Sequence, residues 1–307
     1  MSDSSYYVPE SSKLPIFMAF GLLLFVLGAS FTMNNWGEEG SNAHWLLIAS
    51  FAVIWGVMFF WFGSVINEND SGLYSGQLNQ SFVWGMAWFI FSEVMFFFAF
   101  FLALGYVRLF AVPWLGGEGE KAITNILWPG FEAAWPLLVT PDNEQFPGAH
   151  HSMAIPEISK LHTWLPFWNT LCLITSSGTI ALAEAGLRKG NRTAFKLWMV
   201  ATLTLGYIFV FLQGLEYYEA YSHMGLTLGA GIYGTTFFLL TGFHGFHVCL
   251  GAIILTIMTI RGFGGAFSHH DHFGLAAGSW YWHFVDVVCQ YQDLSLIHIS
   301  EPTRHSI

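Results

Sequence analysis

The sequence predicts an all-α, polytopic membrane protein with seven transmembrane helices, and three observations carry that prediction. Of 307 residues, 54% are hydrophobic and only 10% are charged, whereas soluble domains carry about a quarter charged residues. The apolar residues come in blocks long enough to cross a hydrocarbon core about 30 Å thick, which takes about 20 residues of helix. Inside two of these blocks, within residues 231–288, stand His244, His247, His283 and Asp286. Ionisable groups at such depth cost at least a few kcal/mol each, so they are expected to face protein or trapped water inside a helix bundle.

Residues 1–13 are polar and serine-rich and form an N-terminal head. They lack the basic n-region of a cleavable signal and run into a full-length span. The first two transmembrane helices occupy residues 14–66, as spans 14–33 and 45–66. Pro15 sits where a helix start tolerates it. Asn34, Asn35, Glu38, Glu39 and Gly40 make the turn between them, and Trp36, Trp45 and Trp61 lie near interfaces, where indoles prefer to sit. Residues 67–80 form a polar loop with no Lys or Arg.

The five remaining helices occupy residues 81–288. Span 82–107 contains Glu93 near its middle, in FIFSEVMFFFAFF. Residues 108–163, rich in Pro, Gly and acidic residues, exceed ordinary loop length and are expected to form an extramembrane lobe. Span 164–187 follows, and Arg188, Lys189, Arg192 and Lys196 after it make the densest basic cluster in the chain. Span 195–215 ends in Glu216-Tyr217-Tyr218-Glu219, and span 231–260 is closed by Arg261. The seventh span, 273–288, is short, because the chain loses apolar character after Val288. The tail, 289–307, resembles none of the spans and reads as out-of-frame or linker-derived translation.

Basic residues in short loops orient such a chain. Lys13, Arg188, Lys189, Arg192, Lys196 and Arg261 fall on one side, and Arg108, Lys121 and Lys160 fall in or beside the lobe. The N-terminus is therefore expected inside. The net charge of −10 argues against nucleic acid, whose phosphates need a basic face. Cys172, Cys249 and Cys289 are far apart and show no ligand spacing.

Glu93 is the sharpest single signal: a carboxyl amid Phe96, Phe97, Phe98 and Phe100. It reads equally as a neutral acid joining two helices or as a proton relay. His244 and His247, three apart, share one helix side, but nothing supplies the carboxylate-plus-His helix pairs of di-iron bundles. A His-box oxygenase needs its boxes on one membrane face. Here His150 and His151 fall outside while His269, His270 and His272 fall inside, so no metal site is expected. Gly242, Gly245 and Gly251 allow close approach of another backbone.

The segments LGYIFVFLQGLEYYEA (205–220), YGTTFFLLTGFHGFHV (233–248) and HFG…WYWHFVDVV (272–288) closely resemble subunit III of cytochrome c oxidase. SEVMFF around Glu93 and the pair Asn169–Thr170 resemble the same family, in the same order. The resemblance implies a seven-helix subunit in which two helices splay from five around a V-shaped cleft filled by phospholipid. It implies no haem or copper in this chain, with both held by partner subunits I and II of a haem-copper oxidase. The implied roles are fast proton uptake by the catalytic subunit, protection from turnover inactivation and control of oxygen access.

By the same resemblance Glu93 is the buried glutamate. Glu216, Glu219, His244, His247, His283 and Asp286 are the polar bundle residues, and Arg261 is the basic residue that ends span six, a candidate for lipid head groups. By charge alone Arg188, Lys189 and Arg192 are candidates too, and a solvated turn that obeys the topology rule explains those three equally well. Three departures stand out. Loop 67–80 lacks the usual His and basic residues, and Ala183 and Glu184 replace a mitochondrial His pair. The lobe is longer than in mitochondrial forms, which favours a bacterial source and an inner-membrane location with the N-terminus in the cytoplasm. Two other readings remain open here: the third subunit of a quinol oxidase or nitric-oxide-reductase analogue, which typically lacks the first two spans, and a stand-alone proton-coupled transporter, for which no internal repeat or paired broken helices are visible.

Overall fold

A computed structural model describes residues 7–8, 11–35, 42–153, 158–268 and 272–293, and its regular elements are all helical. The turn residues Trp36, Glu38, Glu39 and Gly40, the histidines His269 and His270, and tail residues 294–307 lie outside the described residues. The chain divides into two compact units, residues 1–82 and 83–307.

The first unit holds helices α1 (Leu14–Asn34) and α2 (Ala43–Asp70) and the start of α3 (Gly76–Tyr106). Pro15 stands in the first turn of α1, where its missing N–H costs nothing. Only Gly21 and Gly28 of α1 are buried, and a Cβ on Gly28 would lie 2.7 Å from the Leu47 backbone nitrogen. Lipid tails give two helices no hydrophobic reason to associate, so this close backbone approach supplies the packing. Helix α2 runs past the apolar residues to Asp70 and stops at Gly72, whose φ of 70° suits glycine. The polar loop therefore narrows to residues 71–75. Tyr74 pins it, its hydroxyl shared between the Val65 carbonyl and the Glu68 carboxylate, each at 3.1 Å. Burial and that carboxylate hold the phenol protonated well above the ordinary tyrosine range.

The second unit holds most of α3, then a π-helical turn (Val107–Ala111), the short α4 (Val112–Leu115), the lobe, and α5 (Leu165–Arg188), α6 (Arg192–Ser222), α7 (Gly231–Phe263) and α8 (Phe273–Asp293). A three-residue turn with Gly190 at φ 72° joins α5 to α6, and the Asn191 side chain caps α6 by accepting from the Ala194 N–H at 3.0 Å. The lobe contains two 3-10 turns, Ala122–Leu127 and Ile158–Thr163. Its far end is tied down where α6 meets α7: the His150 N–H donates to the Met224 carbonyl at 2.9 Å, and the Met153 N–H to the Tyr233 hydroxyl at 3.3 Å.

Among the described residues, six helices are long and apolar enough to cross a membrane; α8, although 21 residues long, is not among them. It runs five residues beyond Val288, the expected limit of the seventh span, and Cys289 and Gln292 on that extension are buried. Its polar content explains the low hydropathy. Ser279, Asp286 and Gln292 face inward and lie beside buried Trp282, Val285 and Val288, so α8 turns its polar face to protein.

Trp282 holds the core of this unit together. Its indole passes between Gly206 of α6 and Gly251 of α7, where added Cβ atoms would come within 2.8 and 2.9 Å of the ring. Its N–H donates to the Ser176 hydroxyl of α5 at 2.8 Å. One side chain thus contacts three helices. Of the glycines expected to permit close approach, Gly251 does so, Gly242 meets only the Tyr217 hydroxyl at 3.6 Å, and Gly245 faces open space.

Candidate functional site

The residues expected to carry function fall into three places in the second unit. The first joins α3 to α7. Glu93 Oε2 lies 2.8 Å from His247 Nε2, although 154 residues separate them. The other ring nitrogen, Nδ1, lies 2.6 Å from the Phe243 carbonyl. A carbonyl only accepts, so Nδ1 carries a proton. The contact at Nε2 then needs one more proton, held by the acid as a carboxyl or by the ring as imidazolium. In either state the pair shares a single proton within one hydrogen bond.

Aromatic rings surround the imidazole. The rings of Phe97, Phe96, Phe246 and Tyr281 lie 5.1–6.4 Å from the imidazole, with Tyr281 stacked on it. The Glu93 side chain keeps 22% of its exposure and that of His247 9%, so the carboxyl sits at the rim of the unit and the imidazole inside it.

The second place is the bundle interior. Asn169 Nδ2 donates to Glu216 Oε2 at 2.9 Å, joining α5 to α6, and both residues are buried. Tyr217 and Thr241 share a 2.6 Å bond between α6 and α7. His244, one-hundredth exposed, donates from Nε2 to the Val285 carbonyl at 3.1 Å and so ties α7 to the backbone of α8. Asp286 is buried on α8, with His283 one turn before it and half-buried. Glu219 is exposed and stands apart from this set. Asn169 and Thr241 were not among the site residues predicted for this interior. A lone Asn or Thr in an apolar run is an ordinary helix residue until its partner is known.

The third place lies at the end of the bundle opposite the lobe. Arg192 Nη2 donates to the Phe267 carbonyl at 3.1 Å, the Arg261 guanidinium stands 5.7 Å from the Phe267 ring centre, and Lys196 stands 5.2 Å from that of Phe263. These three cations converge on one aromatic segment. Arg188 turns aside into an exposed pair with Glu184 at 3.4 Å, an interaction worth little, and Lys189 is solvent-facing. Among the described residues no group of three or more His, Cys, Asp or Glu is placed to hold a metal ion.

Comparison with known proteins agrees over nearly the whole chain. A family model described as cytochrome c oxidase subunit III matches residues 4–140 and 123–299. A cytochrome c oxidase subunit 3 from Arabidopsis thaliana is 33% identical over 287 residues, covering 92% of each chain. That from Marchantia polymorpha is 34% identical over 286 residues, again with 92% of each covered. That from Oryctolagus cuniculus is 32% identical over 285 residues, covering 92% of this chain and 93% of its own.

Proposed function

The chain belongs to the cytochrome c oxidase subunit III family, and we propose that Glu93 and His247 serve such an oxidase as a proton-holding pair beside its catalytic subunit. The oxidase couples electron transfer to oxygen reduction, and its haem and copper lie in subunits I and II. This chain contributes structure, proton supply and lipid contacts. The observation that carries the reading is the 2.8 Å contact between Glu93 and His247 at the rim of the five-helix unit. A shared proton there can be exchanged by a shift within one hydrogen bond, at no cost in net charge.

The rest of the reading builds on the family. Helix α8 crosses the membrane as a seventh span, sheltered by α5 and α7, and phospholipid binds the subunit. Arg192 and Arg261, with Lys196, face anionic lipid head groups on the basic side, each worth about 1 kcal/mol near a charged surface. That side also holds the N-terminus, which in a bacterial plasma membrane is the cytoplasm.

The test is Glu93→Gln in the intact oxidase. The amide keeps a hydrogen bond to His247 but cannot give up a proton. Haem spectra should be unchanged, while proton uptake slows and inactivation during turnover comes sooner. Loss of the haem signal would show that the redox centre depends directly on this residue, and unchanged uptake would remove its role as a proton holder.

A further inference from the structure

We propose that the interior of the second unit binds a short row of water molecules between α5, α6 and α7, running from Asn169 past Gln213 to His244. The Glu93–His247 reading does not enter this proposal, and the two can fail separately. Three side-chain atoms carry it. Asn169 Oδ1, Gln213 Nε2 and His244 Nδ1 are buried, and none has a hydrogen-bond partner among the described residues. Asn169 and His244 keep only 3% and 1% of their exposure, so bulk water does not serve them. A buried donor or acceptor left unmet forfeits its hydration with nothing in return.

The helix register puts the three in line. Phe209, Gln213 and Glu216 follow one another at helical spacing along one face of α6. Glu216, at one end of this row, accepts from Asn169 Nδ2 at 2.9 Å. Phe209, at the other end, meets the His244 ring edge-on at 5.7 Å. Along α6, Gln213 therefore stands between the amide of Asn169 and the imidazole of His244. The row from 209 to 216 covers about 10 Å of helix. A hydrogen bond spans about 3 Å, so more than one bridging molecule is needed to join all three groups.

The chemistry of these groups selects the ligand. The Asn169 amide oxygen accepts and the Gln213 amide nitrogen donates. His244 spends its Nε2 proton on the Val285 carbonyl at 3.1 Å, which leaves a lone pair at Nδ1 of the uncharged ring. The row thus reads acceptor, donor, acceptor. An anion would be repelled by the two acceptors, and a cation by the donor. Water donates and accepts, carries no charge, and when buried makes about three hydrogen bonds to groups of this kind. Bound there, it connects the Asn169–Glu216 link between α5 and α6 to the His244 link between α7 and α8. Four helices then share one polar network.

The first test is a map of the intact oxidase by electron cryomicroscopy, at a resolution that shows ordered water elsewhere in this subunit. Density should appear within hydrogen-bond distance of Gln213 Nε2 and of His244 Nδ1. A dry interior in such a map would overturn the proposal, and so would Gln213 bonded directly to Asn169 or His244. Gln213→Met gives an independent readout in the full-length chain in detergent, because the thioether keeps the volume and removes the donor. With water in the row, that loss leaves two acceptors poorly served, and the variant should melt a few degrees below the parent. In a dry interior the same change removes a stranded donor. An equal or higher melting temperature would therefore also overturn the proposal.

Discussion

Glu93 and His247 are worth more as a pair than either is alone, and that asymmetry can be measured. With His247→Leu, Glu93 keeps its place among phenylalanines but loses the partner 2.8 Å away. A buried group left unsatisfied costs about 1–3 kcal/mol, while replacing both partners by apolar ones is nearly neutral. The single variant should therefore lower the unfolding free energy in detergent by about that much, and Glu93→Leu/His247→Leu should recover most of it. Additive losses would mean the two side chains are not coupled. The sequence exposed both residues, because a carboxyl or imidazole stands out within apolar text. It did not show that they meet, since a separation of 154 residues carries no periodic signal. Asn169 was legible only as half of a family-like pair and not as a site residue, for the converse reason: an amide gains meaning only from the buried Glu216 that it reaches.

At the level of helices, hydropathy located six of the predicted spans, because lipid-facing residues dominate those blocks. It placed the end of α8 too early, because that helix buries its polar face against protein and its last five residues are not apolar. The glycines were legible as small residues but not by direction. Gly251 receives Trp282, Gly245 faces open space, and Gly206, which no pattern singled out, closes the other side of the indole. This arrangement predicts strong coupling. Gly206→Ala forces a methyl within 2.8 Å of the ring and should destabilise by about 1–3 kcal/mol, as overpacking does. In Trp282→Phe the same methyl finds room, so the double variant should lose less than the sum of the two single ones. Melting of the four proteins in one detergent decides it, and simple additivity would show that the indole is free to move aside.

For the whole molecule, the open step is whether α8 crosses the bilayer as the proposed seventh span. The lobe joins α3 to α5 at one end of the second unit, and α6 and α7 meet at that end, where His150 and Met153 bond to Met224 and Tyr233. The connection from α7 to α8 lies at the other end, so a crossing α8 brings its C-terminal turn back to the lobe side. Exposed Tyr291 reports this position, Glu120 reports the lobe, and Gly264 reports the opposite end. Cysteines placed singly at these positions, in a background where Cys172, Cys249 and Cys289 are replaced by serine or alanine, can be labelled with a membrane-impermeant maleimide in oriented vesicles. Residues 120 and 291 should label from one side and residue 264 from the other. Labelling of 291 together with 264 would mean that α8 lies along the interface. Its buried Asp286 and Trp282 would then be held by a bundle that never carries them across the membrane. The polar face of α8 argues against that outcome, because a helix lying at the interface could turn those groups to water, and here they turn inward.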